Sequence, residues 1–96
     1  MKTPPFTREA RIEAGYLLRR LQWGEKLAMP LSRPMGTIGR RCHELRIRDE
    51  DHVWRIIYRI DDDAIVILEV FDKGSGETPE YVKEVCRQRL QRYDEA

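Results

Sequence analysis

Apolar residues recur at helical spacing near the start of the chain. After Thr7, whose side chain can cap a helix, they return every three or four positions, which is typical of a helix with one buried face. Gly24 is the expected end of this helix. The predicted buried positions are Ala10, Ala14, Leu17, Leu18 and Leu21. The arginines of this segment fall mostly off that stripe, where a solvated face is expected.

Residues 28–41 show no sustained period and contain two prolines and two glycines. This composition favours an ordered loop over a helix or a strand. Its apolar side chains are expected to hold the loop against the core. They are Met29, Leu31, Met35 and Ile38.

From Cys42 the apolar period becomes two, which indicates β-strands. Strands are predicted at residues 42–49, 53–60 and 64–71, and short acidic turns join them. Connections of this length favour an antiparallel meander of three strands.

A second helix is predicted to begin at Thr78 and Pro79, with the threonine as its cap and the proline at its first position. Its apolar stripe is Val82, Val85, Cys86, Leu90 and Tyr93. The order of helix, three strands and helix predicts a small α+β domain that occupies residues 1–96.

Composition and charge narrow the class of protein. The 96 residues are 41% hydrophobic and 36% charged, which is enough for a small core and excludes a disordered chain. No apolar run approaches the roughly 18 residues of a membrane span, and the first residues lack the apolar segment of a signal peptide. We therefore expect a cytoplasmic protein in which Cys42 and Cys86 are reduced thiols.

The net charge of +1 conceals an uneven distribution. Residues 1–60 carry 13 Lys and Arg against 7 Asp and Glu, whereas residues 61–96 carry 5 against 10. A polyanionic partner would therefore have to meet a local basic face.

Strand parity predicts such a face. If Leu45, Ile47, Trp54, Ile56 and Tyr58 face the core, the opposite face holds Arg46, Arg48, Arg55 and Arg59. The matching parity on the third strand adds Ile65, Ile67, Glu69, Phe71 and Lys73. Two interpretations remain open. Arginines that bind phosphates beside an aromatic ring suit RNA, but Arg48 and Arg59 could instead pair with Asp49 and Asp61 and keep the sheet soluble.

Other kinds of site have less support in the sequence. The cysteines and histidines lack the spacing of a zinc site, and the acidic run at residues 61–63 lacks the glycine and distal glutamate of a calcium loop. Residues 74–76 are too short and wrongly placed for a nucleotide-binding loop. We therefore expect no metal ion and no cofactor.

Several stretches carry a resemblance to a known family. They are Gly39–Asp49, Trp54–Tyr58, and Ile65–Phe71 followed by a lysine and then Thr78-Pro79. Together they closely resemble the phage-derived, HigB-like branch of the RelE/ParE toxin superfamily, and the likeness extends from about Thr7 to Tyr93. The resemblance implies a small twisted antiparallel sheet flanked by helices.

The resemblance also implies an activity. It points to the toxin of a type II toxin–antitoxin pair, which cleaves mRNA on the ribosome without a metal. It implies Arg46, Arg55, Lys73 and Tyr93 as catalytic residues, with RNA contacts expected at Arg41, Arg48, Arg59 and Phe71. Its expected partners are mRNA, the ribosome and a cognate antitoxin, expected to be a helix-turn-helix protein that covers the basic sheet face or extends the sheet edge. A homodimer is left open.

Alternatives remain because the chain departs from the family pattern. Relatives read Phe-x-Lys-Lys-x-x-Lys-Thr-Pro, whereas only Lys73 stands between Phe71 and Thr78 here, and Glu77 occupies a usual cation position. A RelE-like binding module without catalysis, a ParE-like inhibitor of a protein such as DNA gyrase, and a purely structural domain are the other hypotheses. The general base is also open, since Glu69 could fill this role or could pair with Arg55 or Arg46.

Overall fold

The computed structural model describes residues 6–49, 52–72 and 77–96 and consists of two helices and one sheet. Its elements are α1 (Arg8–Gln22), β1 (Ser32–Pro34), β2 (Cys42–Asp49), β3 (His52–Ile60), β4 (Ile65–Asp72) and α2 (Glu80–Glu95). The predicted α+β class, with an antiparallel sheet between an N-terminal and a C-terminal helix, is confirmed.

The sheet has four strands in the order β1-β2-β3-β4, all antiparallel. The additional strand, β1, lies inside the segment that the sequence predicted to be a loop. It has only three residues, which are too few to show a period. Its Pro34 is compatible with an edge strand, because proline has no N–H to donate and an edge strand pairs on one side only.

Two predictions for the loop and the second helix are corrected. Met35 and Ile38 are buried as expected, but Met29 is 67% exposed. Pro79, not Thr78, is the cap residue of α2, and no side chain caps this helix. Thr78 is buried and its hydroxyl donates elsewhere.

Asp49 ties the start of α1 to the end of β2. Thr7 caps α1 by accepting a hydrogen bond from the Ala10 N–H, as predicted. Its own hydroxyl and N–H donate to the Asp49 carboxylate at 2.6 and 3.0 Å, and the indole N–H of Trp54 donates to it at 3.0 Å. Asp49 therefore does not serve as the turn partner that the sequence suggested for Arg48.

Acid is expected to weaken this connection. The hydrogen bonds from Thr7, followed by the one from Trp54, hold the pKa of Asp49 below its ordinary value of 3.8. A carboxyl group whose pKa is lower in the folded state stabilises the fold above its unfolded pKa, and this stabilisation is lost as the pH falls through the folded value. Urea unfolding at pH 7 and below about pH 4 should therefore show a smaller loss of stability in acid for Asp49→Asn than for the wild type. Equal losses would contradict the assignment.

Two apolar clusters lie on opposite faces of the sheet. On one face α1 covers a cluster of Ala10, Ala14, Leu17, Leu21, Leu45, Ile47, Trp54, Ile56 and Tyr58. On the other face α2 covers Met35, Ile38, Cys42, Ile57, Leu68, Val82, Cys86 and Leu90. The face that carries the arginines is thus not open, because α2 lies over its centre.

A β-bulge in β4 changes the parity predicted for that strand. Ile57 pairs with Glu69 and Tyr58 pairs with Ile67, so Leu68 is an extra residue. Glu69 and Phe71 keep the predicted face. Ile65 and Ile67 do not, because the bulge moves their side chains to the α1 side of the sheet.

The two cysteines lie in the interior of the protein. Cys42 and Cys86 are buried free thiols, and burial raises the pKa of both, that of Cys86 to about 12. Neither thiol is therefore suited to act as a thiolate nucleophile.

Among the described residues, no three metal-binding side chains are grouped as a site. No helix in the same part of the chain is long and apolar enough to cross a membrane.

Candidate functional site

A buried carboxylate gathers three arginines on the α2 side of the sheet. Glu44 is fully buried, and its Oε1 accepts hydrogen bonds from Arg33 Nε at 3.2 Å and from Arg55 Nη1 at 3.1 Å. Arg46 Nε lies 3.6 Å from the same oxygen. Glu44 Oε2 accepts a hydrogen bond of 2.6 Å from the Thr78 hydroxyl. These five residues are called the Glu44 cluster below.

Three neighbouring strands supply the arginines. Arg33 lies on β1 directly across from Glu44, and Arg46 on β2 lies directly across from Arg55 on β3. Like charges in directly opposed positions destabilise a sheet. Glu44 compensates for this because it lies two residues before Arg46 and therefore on the same face.

The arginines differ in their access to solvent. The Arg55 side chain is 4% exposed, whereas those of Arg33 and Arg46 are 27% and 32% exposed. Arg55 is thus the most buried of the three arginines. The five residues carry a formal charge of +2, because one carboxylate stands against three guanidinium groups. A partly exposed cluster with this charge can bind a phosphate group through several charge-assisted hydrogen bonds.

The surroundings add a cleft and an aromatic ring. A cleft of about 230 Å³ next to the cluster is lined by Arg33, Thr78, Glu77 and Lys83, among others. Adding Glu77 and Lys83 leaves the formal charge at +2. Phe71 on β4 lies directly across from Arg55 and is half-buried. Arg46, Arg55 and Phe71 therefore share one face of the sheet, as strand parity predicted, and they lie directly across from one another.

A second charged group occupies the other end of the sheet. Arg59 donates hydrogen bonds to Asp61 and to Asp94 at 2.7–3.0 Å. The ring of Tyr93 lies 5.7 Å from Arg59 Cζ, and Arg41 lies 3.9 Å from Asp61. The carboxylate of Asp94, and then that of Asp61, raise the pKa of Arg59 above its ordinary value. Of the two interpretations that the sequence left open for Arg59, the structure shows the ion pair with Asp61.

The two groups are well separated. Arg55 and Arg59 are four residues apart on β3, a distance of about 13 Å. Tyr93 lies thirteen residues after the start of α2, about 20 Å along the helix from Glu80. The structure therefore places Tyr93, Arg59 and Arg41 together, away from Arg46.

The remaining predicted residues have other surroundings. Arg48 is exposed beyond Arg46 on β2, and Lys73 lies outside the described residues. Glu69 accepts the N–H of Val70 and pairs with Arg89 of α2 at 3.3 Å. The carboxylate that holds Arg46 and Arg55 is consequently Glu44, not Glu69.

Sequence reasoning missed three members of the Glu44 cluster. The two-residue period of β2 already placed Glu44 on the face of Arg46, and a carboxylate among arginines was the available signal. Arg33 gave no comparable signal because its position depends on the short strand β1. Thr78 was assigned to the helix cap, which concealed its contact with Glu44.

The family of the chain follows from comparison with known proteins. A family model described as phage-derived protein Gp49-like (DUF891) matches residues 5–91, which include α1, all four strands and most of α2. Comparisons with curated proteins and with solved structures gave no match. The matched range covers most of the chain, so this protein belongs to the Gp49-like family of phage-derived proteins, which is a RelE/toxin-like family.

Proposed function

We propose that this protein is the toxin of a type II toxin–antitoxin pair, of the HigB-like kind, and that it cleaves ribosome-associated mRNA without a metal. The observation that carries the proposal is the direct pairing of Arg46 with Arg55 in a cluster of formal charge +2. Membership of a toxin-like family supports it.

The proposed chemistry requires positive charge at one phosphate. The ribose 2′-oxygen attacks the adjacent phosphorus, the bond to the 5′-oxygen breaks, and the products end in a 2′,3′-cyclic phosphate and a 5′-hydroxyl. Negative charge builds up on the phosphoryl oxygens during this step, and preorganised guanidinium groups stabilise it. In the proposal Arg46, which is partly exposed, contacts those oxygens, and the buried Arg55 adds positive charge beside it.

The other predicted residues take supporting roles in the proposal. Glu44 is a positioning residue, because its Oε1 contacts all three arginines while Arg33 and Arg46 remain partly exposed. Phe71 supplies an aromatic surface for a base, while Arg48 and Lys73 supply further contacts with RNA. In the proposal, a part of the RNA away from the reacting phosphate is bound by Tyr93, Arg59 and Arg41. Guanidinium groups do not exchange protons at neutral pH, so the proton carriers are other groups.

The biological setting is part of the same proposal. The protein acts in the cytoplasm on mRNA in the ribosome, and a helix-turn-helix antitoxin neutralises it. A second candidate function is a RelE-like binding module without catalysis. The burial of Arg55 against Glu44 favours this alternative, because an internal carboxylate already satisfies part of that guanidinium group.

Induced expression in a bacterial host tests the proposal. The wild type is compared with Arg46→Ala and with Arg20→Ala, a matched loss of an arginine on α1, across the sheet from the cluster. Growth and the ends of mRNA fragments are followed together. Wild type and Arg20→Ala should arrest growth and yield fragments with 5′-hydroxyl ends, whereas folded Arg46→Ala should do neither.

Two other outcomes would overturn the proposal. Growth arrest with intact mRNA would favour a ParE-like action on a protein target. Soluble, folded protein that neither arrests growth nor cleaves mRNA would favour the binding module.

A further inference from the structure

Helix α1 has a second apolar face, on the side away from the sheet. Ile12, Tyr16 and Trp23 are 62%, 58% and 70% exposed. At 100° per residue their side chains project within about 40° of one another. Isolated exposed apolar residues are common on protein surfaces, but a row along one helix marks an interaction site more often.

A row of arginines runs beside these apolar residues. Arg8, Arg11 and Arg19 are exposed, and none of the three forms an ion pair with any other residue in the described part of the chain. The opposite flank carries Glu9, Glu13 and Arg20, and Arg20 pairs with Glu25 at 3.3 Å. The helix therefore presents an apolar stripe with a row of unpaired arginines on one side and a flank of mixed charge on the other.

Gly15 lies within the basic row, one turn after Arg11 and one turn before Arg19. A Cβ atom added there would meet nothing within 4 Å, so packing within the protein does not require a glycine. Glycine in a helix interior is also less favourable than alanine. The missing side chain leaves a notch between Arg11 and Arg19 through which another backbone can approach α1 closely.

We propose that this surface, the α1 outer face, docks an amphipathic helix of a partner protein with an acidic row along one side of its apolar stripe. The surface comprises Arg8, Arg11, Ile12, Gly15, Tyr16, Arg19 and Trp23. Its apolar stripe matches the helix-in-groove mode of recognition, and its arginines complement carboxylates. RNA suits it less, because Glu9 and Glu13 would repel phosphates. The inference is independent of the proposed function, since the sheet separates this face from the Glu44 cluster.

Two synthetic helical peptides of 20 residues serve as probes for the full-length protein. Both carry the same apolar stripe, and one has a row of glutamates beside it where the other has lysines. Calorimetry should show that the wild type binds the glutamate peptide about tenfold more tightly than the lysine peptide at low salt. The charge reversal R8E/R19E should invert this preference. Equal binding of both peptides by the wild type would overturn the proposal.

Two further variants separate docking from folding. Gly15→Gln should leave the fold at least as stable, since it replaces an exposed helical glycine, yet should weaken binding of the glutamate peptide by about tenfold. Trp23→Ala should weaken it by about thirtyfold, because buried tryptophans dominate such interfaces. Unchanged binding by both variants would show that the peptide does not use this face.

Competing occupants are tested in the same samples. Sedimentation equilibrium would detect self-association that Trp23→Ala abolishes, which would make a second copy the occupant. A 12-nucleotide single-stranded RNA that displaces the glutamate peptide would assign the face to nucleic acid. Either result would overturn the proposal.

Discussion

Replacing Glu44 with alanine is expected to lower the free energy of unfolding by about 3–5 kcal/mol, because a buried cation loses its partner. Glu44 accepts hydrogen bonds from Arg33, Arg55 and Thr78, and it separates the charge of Arg46 from that of Arg55. Without the carboxylate, the charges of these two directly opposed arginines would no longer be compensated. Urea unfolding at pH 7 measures the effect.

Three comparisons make this test specific. Glu84→Ala removes an exposed carboxylate from α2 and should change the stability little. Glu44→Gln keeps the shape and one acceptor, so it should cost less than alanine. Combining Glu44→Ala with Arg55→Met should cost less than the sum of the single changes, since both charges are then removed. A loss below about 1 kcal/mol for Glu44→Ala would contradict the central role of this carboxylate.

Arg46→Ala is expected to reduce mRNA cleavage by about 100- to 1,000-fold, the loss typical when a group that stabilises transition-state charge is removed. Its side chain is about one-third exposed, and its Nε lies 3.6 Å from Glu44 Oε1, beyond hydrogen-bond distance. The substitution should therefore affect stability far less than it affects the reaction. Single-turnover cleavage of ribosome-bound mRNA, with urea unfolding of the same samples, separates the two effects.

Two companion variants test the geometry of the site. Arg46→Lys should restore only part of the activity, because an ammonium group cannot hold two phosphate oxygens in a fork. Tyr93→Phe should cause a much smaller loss than Arg46→Ala, since Tyr93 lies beside Arg59 at the other end of the sheet. If Tyr93→Phe abolished cleavage as completely as Arg46→Ala, the reacting phosphate would have to lie near α2's last turn instead.

Most of the fold could be predicted because it depends on local patterns. The helical spacing before Gly24 predicts α1, and the alternation after Cys42 predicts β2, β3 and β4. The structure has all of these elements. The strand β1 could not be found in this way, because three residues carry no period and are fixed only by pairing with β2. The bulge at Leu68 was hidden for a similar reason, since local sequence gives no sign of where a ladder gains a residue.

The candidate site was predictable only in part. Parity along β2 and β3 was sufficient to place Arg46 and Arg55 on the same face, and the register then sets them directly opposite each other. The partner of these arginines could not be predicted in this way. Glu44 also contacts Arg33 and Thr78, and both come from distant segments of the chain. The position of Tyr93 depends on the direction in which α2 crosses the sheet, and no residue pattern within α2 specifies that direction.

The bulge at Leu68 also affects how the protein behaves at high concentration. β4 is an outer strand, and an outer strand with a regular row of free N–H and C=O groups is a template for aggregation. The extra residue increases the local twist and interrupts that row. On the opposite edge, β1 is three residues long and contains Pro34. Neither edge therefore offers a long regular template, so the sheet resists growth into fibrils even though its strands are rich in isoleucine and valine.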